Sequence, residues 1–185
     1  EEKFSLIHKL AQTGKSTISP MGTRKPFPNL ETILFRGAQF CRFPLNEDDE
    51  VNTRTVLGPS AKKPLELEMP FYVSHMSFGA LSREAKVALA MGASEVGTAT
   101  CSGEGGMLLE ERENATRYIY EIGTASFSRD KKAIANCEAV EIKFGQAAKP
   151  GMGGHLPGEK MTPEIAAIRG LGPGQDFISP NRQPG

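Results

Sequence analysis

The sequence predicts an α/β protein built on a parallel sheet, and three observations predict it. Over residues 71–143, short segments rich in β-branched and aromatic residues alternate with helical segments, which is the rhythm of βα units. Glycine-bearing loops follow the first, second and fourth of those strands, where parallel α/β folds bind ligands. The chain of 185 residues is 38% apolar and 24% charged, enough to close a core.

The elements follow in order. Residues 1–70 read as an N-terminal leader, and 71–185 as the βα part. In the leader, Phe4, Ile7, Leu10 and Ala11 recur at helical spacing and predict a short amphipathic helix. Dense prolines after it (Pro20, Pro26, Pro28) favour extended and turn conformations. The acidic run Asn46–Glu50 reads as a solvated turn rather than a metal site. Strands are expected at Phe71–Ser74, Val96–Cys101, Tyr118–Ile122 and Ala139–Lys143. Ser82 caps a helix through Met91 that ends near Gly92, Glu110–Thr116 forms another, and Asp130 caps Lys131–Asn136. Beyond Phe144 glycines crowd the chain. Thr162-Pro163-Glu164 then opens a helix: threonine caps it, proline fits its first turn, and glutamate suits its dipole.

Charge and cysteine content exclude several classes. Lys+Arg 22 balance Asp+Glu 22, so no basic excess serves a phosphate backbone, and no nucleic-acid partner is expected. No run approaches the roughly 18 consecutive apolar residues of a membrane span. Cys41, Cys101 and Cys137 are too far apart for a CxxC site or a disulfide framework, and read as reduced thiols of a cytoplasmic protein. The opening residues lack the basic start and apolar core of a signal peptide.

Three loops carry the chemistry. Ser74-His75-Met76-Ser77-Phe78-Gly79-Ala80 leaves the first strand, and its small residues let backbone amides approach a flat or anionic ligand. Ser102-Gly103-Glu104-Gly105-Gly106 leaves the second and holds one carboxylate between glycines. The segment from Lys143 to Gly154 leaves the fourth with Lys143, Gln146 and Lys149, two cations and an amide that suit an acidic substrate or an electron-rich ring edge. The bland alternative is that the glycines make turns and the lysines are solvated. No GxGxxG or GxxxxGK[ST] fingerprint occurs. His75 beside Ser74 and Ser77 does not make a nucleophilic pair, because sequence neighbours seldom have the geometry.

These residues carry a resemblance. Ser74-x-Met76-Ser77-Phe78-Gly79-Ala80-Leu81-Ser82, Gly103-Glu104-Gly105-Gly106, and Ile142-Lys143-x-x-Gln146-x-Ala148-Lys149-Pro150-Gly151-x-Gly153-Gly154 follow one another in order. Leu156-Pro157-Gly158-x-Lys160-x-Thr162-Pro163 and Ile178-Ser179-Pro180 continue the series. Together they resemble the FMN-binding synthase domain of glutamate synthase, in its prokaryotic-type split form, over about 35–180.

The resemblance implies a (β/α)₈ TIM barrel with FMN at its C-terminal face. It implies an oxidoreductase acting on CH–NH₂ donors, which reduces 2-iminoglutarate, formed from 2-oxoglutarate and ammonia, to L-glutamate. Ammonia would come from a glutaminase domain or subunit. Electrons would come from ferredoxin or an NAD(P)H reductase subunit, through an iron–sulfur cluster held outside these residues, in an oligomer. Carried over by position, Ser74, Met76, Ser77 and Lys143 bind the cofactor, Glu104 and Lys143 are catalytic, and Gln146, Lys149 and Arg169 hold the substrate. No protein-bound metal ion is expected. Ala147 stands where the family usually has glycine, and Met152 and His155 occupy variable positions. A complete barrel takes about 250 residues, so only its first half, about four βα units, fits here beside the leader. Two further readings stay open: the flavin subunit of an N-methylglutamate synthase, and a non-catalytic half-barrel serving assembly or binding.

Overall fold

The computed structural model describes residues 2–14, 26, 28–38, 40–145 and 153–178. Helix α1 (Glu2–Thr13) forms as its periodicity predicts, but Phe4, Ile7 and Leu10 are exposed. A hairpin follows, β1 (Thr55–Leu57) antiparallel to β2 (Leu65–Leu67). Then come α2 (Arg83–Glu95), β3 (Thr100–Cys101), α3 (Leu109–Asn114), β4 (Tyr118–Ile122), α4 (Lys131–Ala135) and β5 (Ala139–Ile142). The described residues end with β6 (His155–Leu156), α5 (Pro163–Arg169) and β7 (Phe177–Ile178), β6 being antiparallel to β7.

The centre is a parallel sheet in the order β3-β4-β5. Val73 adds a single parallel bridge to Thr100, so the predicted first strand is present as one paired residue. The bridge consists of Val73 N donating to Ala99 O and Cys101 N donating to Val73 O, and beside it the Thr98 hydroxyl donates to the Phe71 carbonyl. The predicted second strand shortens from six residues to two, because the amides of Val96, Gly97 and Thr98 bond back to carbonyls in the last turn of α2.

The two faces of the sheet are packed differently. Tyr118 and Tyr120 point to the helices, against Ala90 of α2, Ala133 of α4 and Ala115, where alanines leave room for the rings. Ile119 points the other way and joins Ala99, Cys101 and the two leucines of β2, Leu65 and Leu67. Each of those buried leucines contributes about 1.5–3 kcal/mol. The hairpin therefore packs beneath the sheet although it lies in the segment read as leader. Its three-residue strands carried no period long enough to read.

The caps hold as predicted. Ser82 Oγ accepts from Ala85 N at 3.2 Å, Asp130 Oδ1 from Lys132 N at 2.8 Å, and Thr162 Oγ1 from Ile165 N at 3.3 Å. Helix α2 runs through Gly92 to Glu95 rather than stopping near the glycine. In its last turn, the Ser94 hydroxyl donates to Asn114 O and accepts from Thr116 N, anchoring α2 to the end of α3.

All three thiols are free, as expected, and differ in setting: Cys41 is exposed and Cys101 buried. Burial, joined by the neighbouring Glu141 and Glu121 charges, pushes the Cys101 thiol up to about 12. Alkylation at pH 8 followed by peptide mass spectrometry should label Cys41 rapidly and Cys101 only on unfolding, since the thiolate is the nucleophile. Labelling of Cys101 in the native protein at the Cys41 rate would contradict the packing.

Candidate functional site

The strand ends and the loops beyond them enclose a cleft of about 340 Å³, lined among others by His75, Met76, Ser77, Glu104, Lys143 and Arg169. The loops meet backbone to backbone. Gly103 has φ +70°, and a Cβ there would stand 2.6 Å from the Met76 carbonyl carbon and from Ser77 N. Any other residue would push the first loop away from the second.

Glu104 and Lys143 come together, Nζ to Oε2 at 3.1 Å, with the lysine 13% exposed and the carboxylate 27%. Lys143 is therefore no solvated lysine. Gly154 closes over the pair: a Cβ there would lie 3.2 Å from Glu104 Oε1. Arg169 closes another side. It is 8% exposed and donates from Nη2 to Phe78 O at 2.9 Å. Its guanidinium stands over the rings of Phe127 and Phe177, each centroid 5.5 Å away. Its Nε–H has no hydrogen-bond partner. Burial lowers the pKa of Arg169, and the Glu104 charge opposes this. Arg169, at the end of α5, is therefore buried rather than a surface residue.

Of the residues expected at the site, Met76, Ser77, Glu104, Lys143 and Arg169 line this one cleft. Ser74 is exposed on the same loop and is not among the lining residues. Gln146 and Lys149 lie outside the described residues. His155, from a variable position, lines the cleft too.

Other charged residues stand behind those that line the cleft and were not foreseen. Glu121 of β4 is fully buried with Lys143 Nζ 3.6 Å away, and burial pushes its carboxyl up against the pull of Lys143 and His75. His75 Nδ1 lies 2.7 Å from Glu141, whose other oxygen accepts from Tyr72 at 3.0 Å. Beneath the loops, Lys86 of α2 is 2% exposed and bonds Met76 O at 2.6 Å, Ser102 O at 3.0 Å and Glu111 at 2.9 Å. Tyr118 also donates to Glu111, at 2.9 Å. The available signal was alternation: Ile119 and Glu121 share one face of β4, and Glu121 pairs in register with Glu141.

The comparisons with known proteins fall on the same residues. The family described as "Conserved region in glutamate synthase" matches residues 3–184. The chain belongs to the glutamate synthase family. It is 39% identical over 180 residues to the "Glutamate synthase large subunit-like protein" of Rhizobium meliloti, covering 96% of this chain and 41% of that protein. It is 37% identical over 179 residues to the "Archaeal glutamate synthase (NADPH)" of Archaeoglobus fulgidus, covering 96% of this chain and 34% of that protein. A relative from Thermotoga maritima, "Archaeal-type glutamate synthase (NADPH)", is 35% identical over 175 residues, 95% of this chain and 33% of its own length. The chain thus spans about two fifths or less of these family members. Among the described residues, no helix is long and apolar enough to cross a membrane.

Proposed function

We propose that this chain forms the first half of the flavin-binding barrel of a glutamate synthase-type oxidoreductase, and that the cleft is where its substrate is reduced. The observation that carries the reading is the convergence of the Glu104–Lys143 pair and the buried Arg169 on one cleft. A scaffold without chemistry has no folding need for the Glu104–Lys143 pair in the loops after β3 and β5. Consecutive parallel strands in sequence order, with α2 and α4 packed on one face, are what a barrel needs, since an open doubly wound sheet would reverse its order. On β5 the outward Val140 and Ile142 are exposed, which suits a sheet that continues. The division near residue 70 is part of this reading, with the β1–β2 hairpin as the leader's docked end.

The residues present fit FMN and a dicarboxylate. Met76 and Ser77, on the loop that Gly103 lets approach so closely, would hold the flavin, with Ser74 at the loop's start. Lys143 would stand at its electron-rich edge. Bound there, reduced FMN supplies a hydride. Arg169, which lines the cleft, presents its planar guanidinium to a substrate carboxylate. Gln146 and Lys149 would complete the anion site. The Glu104 carboxylate, held by Lys143 on one oxygen and 27% exposed, orients the imine of 2-iminoglutarate and passes to its nitrogen a proton taken up from solvent. Phe127 and Phe177 keep water from the Arg169 guanidinium.

The partners follow from the same reading. They are a glutaminase domain or subunit for ammonia, and an electron donor acting through an iron–sulfur cluster held elsewhere, in a cytoplasmic oligomer. The NADPH in the relatives' names favours a reductase subunit over ferredoxin.

Arg169→Lys tests the assignment in the full-length protein. It keeps the charge and removes the fork. One lost charge-assisted hydrogen bond is worth about 1.5–3 kcal/mol. The half-saturating 2-oxoglutarate concentration should therefore rise about tenfold or more. Unchanged saturation in a folded variant would remove Arg169 from the site.

A further inference from the structure

Glu121 lies behind two residues that line the cleft, Lys143 and His75, and is a fully buried carboxyl left without a hydrogen bond. It is 0% exposed, and neither carboxylate oxygen accepts a hydrogen bond. Two cationic or basic groups face it: Lys143 Nζ, 3.6 Å from Oε1, and His75 Nδ1, 3.8 Å from Oε2. Glu141 and Tyr72 face His75 from the other side, at 2.7 Å and through the Tyr72–Glu141 hydrogen bond at 3.0 Å. His75 is thereby committed to Glu141. Cys101 lies 3.8 Å from Glu141 and adds no cation. The group left for Glu121 is Lys143, which stands between two carboxylates, Glu104 in the loop after β3 and Glu121 in β4.

We propose that Glu121 is a positioning residue: its buried carboxylate draws the Lys143 ammonium inward and fixes it beside Glu104 within the cleft. With Glu104 as sole partner, Lys143 would follow that loop's carboxylate toward the open side. With both, the ammonium is held from two directions, one of them a strand of the sheet. The proposal deepens the proposed function, on which its ligand-binding arm rests, and its stability arm stands without it.

The test is a double-mutant cycle in the full-length protein with Glu121→Gln, Lys143→Met and both. Lys143→Met alone leaves Glu121 buried without its main cation and should lower the melting temperature by about 5 °C or more. Adding Glu121→Gln should restore most of that loss, and a double variant that folds where Lys143→Met does not would support the pairing equally. Glu121→Gln alone should raise the half-saturating 2-oxoglutarate concentration about fivefold or more, and should have no further effect once Lys143 is methionine. Additive effects in melting would overturn the pairing. Melting raised by micromolar Zn²⁺ or Mn²⁺ in the wild type and not in Glu121→Gln would also overturn it, because His75, Glu121 and Glu141 would then be serving a metal ion. If the wild type binds neither flavin nor 2-oxoglutarate, the proposed function fails while the melting cycle still decides the pairing.

Discussion

Glu104→Gln should leave flavin binding intact and slow turnover by about 10²–10⁴-fold, the usual size of a lost general acid or base. The amide keeps the side chain's length and shape beneath Gly154, where a Cβ would come within 3.2 Å of Glu104 Oε1. It removes the charge that faces Lys143 at 3.1 Å and the capacity to take up and pass on a proton. Glu104 retains 27% exposure, so the exchange strands no deeply buried charge and should cost little stability. Steady-state rates with 2-oxoglutarate and ammonia, beside the bound-flavin spectrum and the melting temperature, separate the two effects. Unchanged turnover would show that Glu104 takes no part in proton transfer. A parallel loss of flavin would show that it shapes the loop instead.

Lys86→Met should cost about 3–5 kcal/mol of stability, since removing one partner of a buried ion pair leaves the other uncompensated. Lys86 and Glu111 are 2% and 1% exposed, 2.9 Å apart. Burial already pushes the Glu111 carboxyl up, against the pull of Lys86 and the Tyr118 hydrogen bond. Without the lysine, the Met76 and Ser102 carbonyls also lose a donor, and both belong to loops of the cleft. The variant should therefore bind flavin more weakly as well as unfold earlier. Adding Glu111→Gln should recover part of the stability by removing the stranded charge, and none of the loop fastening. Denaturant unfolding of the three proteins reads the first effect and flavin titration the second. A cost below about 1 kcal/mol would mean that the pair contributes no more than a surface contact.

The sequence reading and the structure agree where a local signal decides. Strand β4 falls on Tyr118–Ile122 as read, because an apolar run bounded by turn residues is paired on both sides. Ser82, Asp130 and Thr162 cap their helices because the preference is a bond to a neighbouring amide. That Glu104 and Lys143 stand at the same end of the sheet was legible from their places just after the second and fourth predicted strands. What escaped reading is tertiary. Lys86 sits in an ordinary helical sequence, and only the packing of α2 against α3 and the loops turns it inward. Glu121 and Glu141 have the composition of half-solvated strands. Their shared face is set by the register of β4 on β5, which no single segment encodes. The burial of Arg169 is tertiary too: it is set by the rings of Phe127 and Phe177, which lie far from each other in sequence.

The most direct test of the flavin site is the visible spectrum of the full-length protein, purified or reconstituted with FMN. An absorbance band near 450 nm, about one FMN released per chain on heating, and a change in the band on adding 2-oxoglutarate that Arg169→Lys weakens are the predicted results. Folded protein that takes up no FMN, or whose flavin band does not respond to 2-oxoglutarate, would contradict the assignment of this cleft.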